Sequence, residues 1–180
     1  MLKFSFLLSC IALTCAQLLA QPATPVNLIR NGSFEIGPDP GQYLTLRSGS
    51  NAIESWTIAS GSVDFVGLFW NSSHGIRSLD LSGFNGDAGG VEQTFATSSG
   101  VKYRIAFDLA GHPTCGPTVK RLRVTASTDS MEFSFDVTGR TLSNMGWKSQ
   151  SLVFTASSQS TTLRFLSLDA SGCGPALDNV

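Results

Sequence analysis

Regular alternation of apolar and polar residues is the feature of this chain that most restricts its fold. From Val101 to Leu109 every second residue is apolar, and lysine, arginine, alanine and aspartate occupy the positions between. Because successive side chains of a β-strand point to opposite faces, this pattern predicts a strand with one buried face. Residues 122–126 and 131–137 repeat the pattern. The sequence therefore predicts strands that contribute alternate residues to one core.

Several shorter apolar runs lie between clusters of turn-forming residues. Glycine, serine, asparagine and aspartate concentrate at 83–87, 98–100, 128–130 and 157–160, where they favour turns. No window after residue 20 keeps an apolar helical face for three turns, which argues against a long amphipathic helix. The spacing predicts an all-β fold, either a sandwich or a barrel. The further strand candidates are 63–66, 79–81, 91–95, 152–154 and 161–168.

The first twenty residues have the composition of a secretory signal peptide. Lys3 precedes a short apolar run, and small residues such as Ala20 are suited to cleavage. The alternative, a membrane anchor, needs about 20 apolar residues, and this run is shorter. We expect residues 1–20 to be removed on export, residues 21–26 to form a linker and residues 27–180 to form a single domain without a transmembrane segment. The expected location is extracellular, in the cell wall or at the cell surface.

The charge of the expected mature chain restricts its partners. After residue 20 the chain carries 11 basic residues, the total of 12 less Lys3, and 13 acidic residues, which gives a formal charge of −2. No run of either sign occurs. Nucleic acids and anionic membrane surfaces bind basic patches, so both are excluded as expected partners. Roughly 160 residues are enough for one domain with a sizeable core.

Two cysteines remain after the signal peptide, Cys115 and Cys173. An even number of cysteines in an exported protein predicts a disulfide between them. A metal-binding or catalytic pair of thiols is the alternative, but the sequence has neither a CxxC spacing nor a nearby histidine cluster. We therefore interpret the pair as structural.

Two runs that contain acids mark the ends of the expected domain. Residues 27–35 read NLIRNGSFE and residues 173–180 read CGPALDNV, so each joins an acid to a short apolar run. We expect both runs to be strands that lie close together, with Glu35 and Asp178 near each other. Asn31 begins a glycosylation sequon, and its amide is alternatively expected to stabilise local structure.

Four segments together resemble one known family. They are NLIRNGSFEIGPDPG, ESWTIASGSVDFVG, HGIRSLDLSGFNGDAGGVEQTF and CGPALDNV, in this order over residues 27–180. They resemble the domain-of-unknown-function 642 family, which includes bacterial exported proteins of the choice-of-anchor C type and secreted plant cell-wall proteins. The resemblance implies a jelly-roll β-sandwich of the galactose-binding-like type, similar to many carbohydrate-binding modules. It implies no catalytic activity for this chain. Members usually continue past this terminus, which predicts a domain truncated at its C-terminus.

The resemblance also implies a structural calcium ion. In many carbohydrate-binding sandwiches that begin with a similar run, the glutamate and an aspartate near the last strand hold calcium, and the matching residues are Glu35 and Asp178. Calcium takes about six to eight oxygen ligands, so backbone carbonyls and water would complete the site. In the alternative interpretation Glu35 bonds neighbouring backbone amides and Asp178 forms a turn.

Sugar binding by such modules needs an exposed aromatic ring with polar side chains around it. Trp70 lies among glycines and polar residues, which predicts a loop tip where it stacks on a sugar, with Asn71 and His74 as polar neighbours. Asp80 alternates with two leucines and is expected to face a ligand groove. In the alternatives, Trp70 folds back over the sandwich edge and Asp80 caps the turn that follows it. The other two tryptophans are expected in the core.

The leading functional hypothesis is an exported, non-catalytic carbohydrate-binding module for a cell-wall or other extracellular polysaccharide. The alternative is a structural or protein-interaction module of the cell envelope or wall, whose partner would be a cell-wall protein and whose surface would carry an exposed apolar patch. A carbohydrate-active enzyme would need two carboxylates that converge in a cleft. The sequence has no GxSxG or HExxH motif, and His74 and His112 are its only histidines. We therefore expect no enzymatic activity.

Overall fold

The computed structural model describes residues 26–84 and 86–180 as eleven β-strands joined by turns, with no helix in this part of the chain. The predicted signal peptide, residues 1–20, lies outside the described residues, as does nearly all of the predicted linker. Residues 26–84 and 86–180 contain no helix that is long and apolar enough to cross a membrane. The strands are β1 Tyr43–Arg47, β2 Thr57–Ser60, β3 Ser62–Val66, β4 Ser78–Asp80, β5 Gly90–Ala96, β6 Lys102–Gly111, β7 Val119–Ala126, β8 Asp129–Asp136, β9 Lys148–Thr155, β10 Ser160–Ser167 and β11 Pro175–Asp178.

The strands form two antiparallel sheets. The six-stranded sheet has the order β1-β3-β4-β11-β6-β9, and the five-stranded sheet has the order β2-β5-β10-β7-β8. Each strand candidate between residues 63 and 168 overlaps one of these strands, although β1 and β2 were not among the candidates. The predicted all-β fold is confirmed, and its architecture is the jelly-roll sandwich that the family resemblance implied.

The alternation seen in the sequence places one face of each sheet in a shared core. Ile105, Phe107 and Leu109 on β6 are at most 5% exposed. On the other sheet Phe165 packs against Phe107, with the two ring centroids 5.1 Å apart. Burying a side chain of this size contributes about 1.5–3 kcal/mol. The core therefore fixes which face of each strand remains available to a ligand.

The first terminal run is not a strand, contrary to the prediction. Asn31 and Phe34 have φ values of 50° and 61°, in the left-handed region, so the chain turns where a strand would continue. The Asn31 side chain stabilises the turn, because its Nδ2 donates to the carbonyl oxygens of Ile36 and Glu54. The indole Nε1 of Trp56 donates to Asn31 O at 3.0 Å. Asn31 thus has the local structural role that the sequence offered as the alternative to glycosylation.

The two terminal runs nevertheless meet, as predicted. Val180 N donates to Gly32 O at 3.0 Å, and Asn27 Nδ2 donates to Val180 O at 3.4 Å. A Cβ on Gly32 would lie 2.1 Å from Val180 O, so this approach requires glycine. The second run contains β11, which lies between β4 and β6 in the interior of its sheet. The prediction of a strand is therefore confirmed for this run.

Cys115 and Cys173 form the predicted disulfide, with their Cα atoms 5.8 Å apart. The bond joins the loop after β6 to the residue two positions before β11. Lys120 is buried beside it, and its Nζ donates to the carbonyl oxygens of Cys115 and Cys173 at 2.8 and 2.7 Å. These carbonyl groups supply partners to an ammonium that would otherwise be costly to bury, and burial lowers the pKa of Lys120. The loop after β6 is thus held firmly against the six-stranded sheet.

Candidate functional site

Acids and hydroxyl groups lie together on the face of the six-stranded sheet that points away from the core, named the outer face below. Leu79 on β4 pairs with Phe65 on β3, and both side chains are buried in the core, so the alternate residues of these strands point outward. The register brings Thr45, Asp64 and Asp80 side by side on β1, β3 and β4. Three residues that are distant in the sequence thus meet on one surface.

Asp64 is a half-buried carboxylate with spare capacity to accept hydrogen bonds. Thr45 Oγ1 donates to Asp64 Oδ1 at 2.5 Å and is the one donor to this carboxylate in the part of the chain that the structure describes. Burial raises the pKa of Asp64 to about 6, although the hydrogen bond from Thr45 acts in the opposite direction. A carboxylate offers about four acceptor positions. Asp64 is therefore suited to accept hydroxyl groups of a ligand.

Asp80 is buried, so the prediction that it faces an open groove is wrong. Its side chain is 1% exposed, because β4 is an interior strand and the segment that leads into β11 covers it. Asp80 Oδ1 accepts hydrogen bonds from Ser82 N and Gly174 N, both at 3.0 Å. The bond from Ser82 is the turn cap that the sequence offered as the alternative. Burial raises the pKa of Asp80.

Asp80 orients His112 through a short chain of hydrogen bonds. His112 Nδ1 lies 2.9 Å from Asp80 Oδ2, and His112 Nε2 lies 2.9 Å from Thr114 Oγ1. An acid, an imidazole and a hydroxyl group in this order also occur in hydrolase triads. Here the imidazole and the hydroxyl group are two residues apart in the loop that Cys115 closes, and the two bonds engage both ring nitrogens. The arrangement therefore holds the imidazole in one orientation.

Four rings pack together beside these polar groups. The ring of His112 lies edge-on to the rings of Phe69 and Trp70, with centroids 5.4 and 5.3 Å apart. Tyr43 lies edge-on to Phe69 at 5.5 Å. Edge-to-face contacts of this kind are favourable between aromatic rings. Tyr43, Phe69, Trp70 and His112 form the aromatic cluster, in which Tyr43 is 50% exposed.

Trp70 is the buried tryptophan of this cluster, so the expectation of an open stacking ring is wrong. Its side chain is 5% exposed, and its Nε1 donates to Ser78 Oγ at 2.8 Å. The loop after β3 folds back over the sheet, as in the alternative interpretation, because the indole can bury its apolar rings while its N–H finds a partner. The expected core position is confirmed for Trp56. Trp147 is half-buried, and its Nε1 donates to Asn71 O at 2.9 Å.

The remaining predicted ligand residues, Asn71 and His74, lie in the exposed loop before β4. The Asn71 side chain donates from Nδ2 to Ser143 O at 2.9 Å, so it anchors the loop. Trp70 and Asn71 line a shallow depression of about 320 Å³ whose margin includes exposed Leu68 and Ile76. The structure thus brings two of the four predicted ligand residues to one depression, and neither His74 nor Asp80 lines it.

Glu35 and Asp178, the predicted calcium ligands, hold this same loop through backbone N–H groups. Glu35 Oε1 accepts from the amides of residues 76–77 at 2.9 and 3.0 Å. Asp178 Oδ2 accepts from the amides of residues 73–74, both at 2.8 Å. Two acids from opposite ends of the domain therefore fix consecutive parts of one loop.

These bonds fit poorly with a calcium ion shared by the two carboxylates. The N–H groups present the positive ends of their dipoles to the oxygens that a cation would need. Asp178 Oδ1 also accepts from Asn179 N at 2.7 Å. Across residues 26–84 and 86–180, no group of three or more histidine, cysteine, aspartate or glutamate side chains is arranged to hold a metal ion. The geometry matches the alternative interpretation of Glu35, and calcium stays a prediction.

The buried carboxylates give the protein a pH dependence with a definite sign. Burial raises the pKa of Asp178 to about 7 and that of Asp64 to about 6, from a usual value of 3.8. Between about pH 4 and pH 7 the folded state therefore retains protons that the unfolded chain has lost. The contribution of these groups to stability is full below their unfolded-state pKa of 3.8, and it is lost as the pH rises through the folded-state values of about 6 and about 7. We expect urea titrations to give a free energy of unfolding with this declining contribution.

The variant Asp178→Asn isolates the larger part of this effect. We expect its free energy of unfolding to decline less than that of the wild type between about pH 4 and pH 7, because one titrating group contributes at most about 1.4 kcal/mol per pH unit. Asp87→Asn makes the same change at an exposed aspartate and should keep the wild-type slope. Parallel curves for the wild type and Asp178→Asn would contradict the assignment.

Reasoning from the sequence missed the residues that make the outer face suited to a ligand. Tyr43, Thr45, Asp64 and Phe69 were not among the predicted site residues. One signal was present, because leucines at positions 44 and 46 alternate with Tyr43, Thr45 and Arg47. The proximity of Thr45 to Asp64 depends on the pairing of β1 with β3, which the local pattern does not reveal.

Solved structures with the same sandwich include carbohydrate-binding modules. The module TmCBM61, solved in complex with β-1,4-galactotriose, is 14% identical with a TM-score of 0.52, and the match covers 86% of this chain and 95% of that one. A native family 35 carbohydrate-binding module from Clostridium thermocellum is 16% identical with a TM-score of 0.43, over 79% of this chain and 92% of that one. At 14% identity the likeness to TmCBM61 shows the fold alone.

The sequence itself is similar to one very long protein and to one family. Halomucin from Haloquadratum walsbyi is 33% identical over 161 residues, which cover 86% of this chain and 2% of halomucin. The chain therefore spans a small fraction of the length of this relative. The model of the family described as protein of unknown function, DUF642, matches residues 27–180. This match covers the same span as the four sequence motifs, and the chain belongs to the DUF642 family.

Proposed function

We propose that this protein is an exported, non-catalytic carbohydrate-binding module that recognises an extracellular polysaccharide through its outer face. One observation carries the proposal: the half-exposed ring of Tyr43 lies on the same face as the hydroxyl group of Thr45 and the carboxylate of Asp64. A sugar ring has an apolar C–H surface and a margin of hydroxyl groups. A stacking ring beside hydrogen-bonding side chains therefore suits it.

The aromatic base beneath Tyr43 is held rigidly. Ser78 fixes Trp70, and Asp80 fixes His112, through the hydrogen bonds described above. A ring that rests on such a base loses little freedom when a ligand binds, which favours affinity. TmCBM61 shares the fold at a TM-score of 0.52 and was solved with β-1,4-galactotriose, which supports a glycan as the ligand class.

The carboxylates of the outer face favour binding over glycoside hydrolysis. Asp64 and Asp80 are neighbours across β3 and β4, which is the arrangement that a retaining glycosidase would start from. Asp80, however, has both oxygens engaged by Ser82, Gly174 and His112 and is 1% exposed. A carboxylate enclosed in this way cannot reach a glycosidic bond. We therefore infer that the site binds its ligand without cleaving it.

Export is part of the proposal. Disulfides such as Cys115–Cys173 persist in oxidising compartments, and the predicted signal peptide at residues 1–20 would direct the chain there. The predicted linker at residues 21–26 would then leave residues 27–180 as the mature domain in the cell wall or at the cell surface. Mass spectrometry of the N-terminus of the exported protein would test these boundaries.

Replacing Tyr43 by alanine should weaken glycan binding without unfolding the protein. Loss of a central aromatic side chain from an interface typically costs about 2 kcal/mol or more, so we expect affinity to fall roughly tenfold or further. The ring is 50% exposed, which limits the effect on stability. Retention on insoluble polysaccharides and in affinity gels would identify a ligand, and calorimetry would then measure the loss.

Val153→Ala is a matched control for this experiment. Val153 is 58% exposed on β9, at the opposite edge of the same sheet from β1. The register pairs it with Arg104, so it also points outward, and its truncation should leave affinity unchanged. Equal affinities for Tyr43→Ala and the wild type would overturn the proposed site. Failure of the folded wild type to bind any glycan in a broad panel would overturn the proposed function.

A second candidate function, protein binding in the cell envelope or wall, is favoured by the depression beside the loop. Leu68 and Ile76 on its margin are 80% and 63% exposed, so they present an apolar surface to solvent. A wall protein that docked there would bury these side chains. Cross-linking on the native cell wall, compared between the wild type and a Leu68→Ser/Ile76→Ser variant, tests this candidate. Unchanged cross-linking in the variant would eliminate it.

A further inference from the structure

We propose that the outer face has a second stacking platform, formed by Arg47 and Phe84, and that its ligand is a neutral oligosaccharide chain that lies along β1 and β3. This inference rests on the function proposed above and adds to it the direction, length and charge of the ligand. The chain would extend from Tyr43, past Thr45 and Asp64, to Phe84.

Strand geometry places Arg47 in line with the Tyr43 site. Tyr43, Thr45 and Arg47 alternate along β1 and share one face, while their partners on β3 are Val66, Asp64 and Ser62. Four residues of antiparallel strand span about 14 Å, which is longer than a single sugar ring. The surface between the two ends of β1 therefore suits a short chain of sugars.

The turn after β4 brings Phe84 to the far end of this strip. Gly83 N donates to Ser62 O at 2.9 Å, and Phe84 N donates to Ser62 Oγ at 2.8 Å. A Cβ on Gly83 would lie 2.9 Å from the carbonyl carbon of Val63 and 3.1 Å from Asp64 Oδ1, so the turn lies directly against β3. Phe84 is thereby positioned next to Arg47, the register partner of Ser62.

Arg47 and Phe84 form an exposed platform. The Arg47 Cζ atom lies 5.3 Å from the centroid of the Phe84 ring, within the range of a cation–π contact. Phe84 remains 50% exposed, the same fraction as Tyr43. The guanidinium also offers several N–H donors to hydroxyl oxygens. Two half-exposed aromatic residues thus lie on either side of the Thr45 and Asp64 pair.

The charges along the strip favour a neutral ligand. Its centre carries the Asp64 carboxylate, with Asp80 beside it on β4, and a uronate at this position would face a like charge. Hydroxyl groups can both donate to Asp64 and accept from Arg47, so a neutral sugar satisfies both residues. His112 also contacts this region, but its two ring nitrogens are engaged by Asp80 and Thr114. The ligand class is therefore a neutral glycan chain rather than an acidic one.

Affinity electrophoresis tests the charge of the ligand. Gels would contain β-1,4-galactan, hydroxyethyl cellulose, xylan or polygalacturonate, and we expect one or more of the neutral polymers to retard the protein more than polygalacturonate does. Stronger retardation by polygalacturonate would overturn this inference while leaving the proposed function intact. Retardation by none of the polymers would count against both.

Calorimetry with oligosaccharides of the retarding polymer, from disaccharide to hexasaccharide, tests the second platform. Phe84→Ala and Arg47→Gln should each lower affinity for the longest oligosaccharide roughly tenfold and affinity for the disaccharide less than about twofold. Tyr43→Ala should lower both. Arg104→Gln, which removes an exposed positive charge on β6, is the matched control. If Tyr43→Ala abolishes binding but Phe84→Ala and Arg47→Gln match the wild type at every length, the second platform is refuted and the Tyr43 site stands.

Discussion

The double variant Cys115→Ser/Cys173→Ser is expected to lose about 4 kcal/mol of unfolding free energy, because the native bond closes a loop of 58 residues and so restricts the unfolded chain. Few single changes to a domain of this size would have a larger effect, since total stability is typically about 5–15 kcal/mol. Urea unfolding followed by tryptophan fluorescence would measure the loss. The same titration of the reduced wild type should give a similar value.

The disulfide should also matter for binding, because it holds the loop that supports the aromatic cluster. His112 N donates to Gly174 O at 3.0 Å, and Gly174 N donates to Asp80 Oδ1 at 3.0 Å. Both contacts lie within three residues of a bonded cysteine. Loss of the bond would loosen His112 against Phe69 and thus the packing of Phe69 against Tyr43. We therefore expect weaker glycan retention by the double variant even under conditions in which it remains folded.

Reductant provides the control for this prediction. Dithiothreitol should lower the stability of the wild type and have no further effect on the double variant, which lacks the bond. An unfolding free energy for the double variant within about 1 kcal/mol of the oxidised wild type would contradict the argument, since the chain-entropy contribution is several times larger. The comparison separates loss of the cross-link from any effect of serine at the two positions.

Much of the fold follows from local patterns in the sequence. The alternation in residues 101–109 predicted β6, since a strand that buries one face must alternate. The terminal run that contains Asp178 was also a strand, as predicted. The run that contains Asn31 was not a strand. Asn31 has a positive φ value and its side chain donates to two backbone carbonyl groups, and these features create a turn that no periodic pattern in the sequence indicates. Alternation thus identifies strands well, and hydrogen bonds from the Asn31 side chain to the backbone explain why the first terminal run is not a strand.

The candidate site was harder to predict because it depends on pairing between distant segments. Asp64 and Asp80 are adjacent only because β3 pairs with β4, and Thr45 reaches Asp64 only through the register of β1. None of these contacts has a local signature. The two acids proposed as calcium ligands did converge on one loop, but as acceptors of its N–H groups. The sequence therefore predicted that Glu35 and Asp178 lie close together, but the calcium interpretation did not include the hydrogen bonds that they accept from backbone N–H groups.

Trp70 shows why local composition misleads about exposure. Its neighbours include Gly67, Asn71 and Ser72, and such residues are typical of exposed loops. The structure buries the indole because the loop crosses the outer face, where Ser78 accepts its N–H and Phe69 and His112 contact its rings. An exposed segment of backbone can thus carry a buried side chain. A buried indole cannot stack openly on a sugar, so we propose that Trp70 instead supports Tyr43 through Phe69.

Replacing Trp70 by alanine is therefore expected to destabilise the fold by about 3–5 kcal/mol, the range for removing a large buried aromatic side chain. The change would leave a cavity on the outer face and deprive the buried Ser78 hydroxyl of the indole donor. Tyr43→Ala should cost far less, since that ring is half exposed. Thermal and urea unfolding of both variants, without any ligand, would measure the difference.

The two aromatic residues can be separated by comparing stability with binding. Trp70→Phe keeps most of the buried apolar surface but removes the N–H, so its loss of stability should be smaller than that of Trp70→Ala. If Trp70 acts only as a support, Trp70→Phe should retain most glycan affinity, whereas Tyr43→Ala should lose affinity with little loss of stability. A Trp70→Ala protein that is as stable as the wild type but unable to bind glycan would instead make Trp70 the direct contact with the ligand. Removal of a buried supporting side chain must lower stability, so unchanged stability would contradict the supporting role.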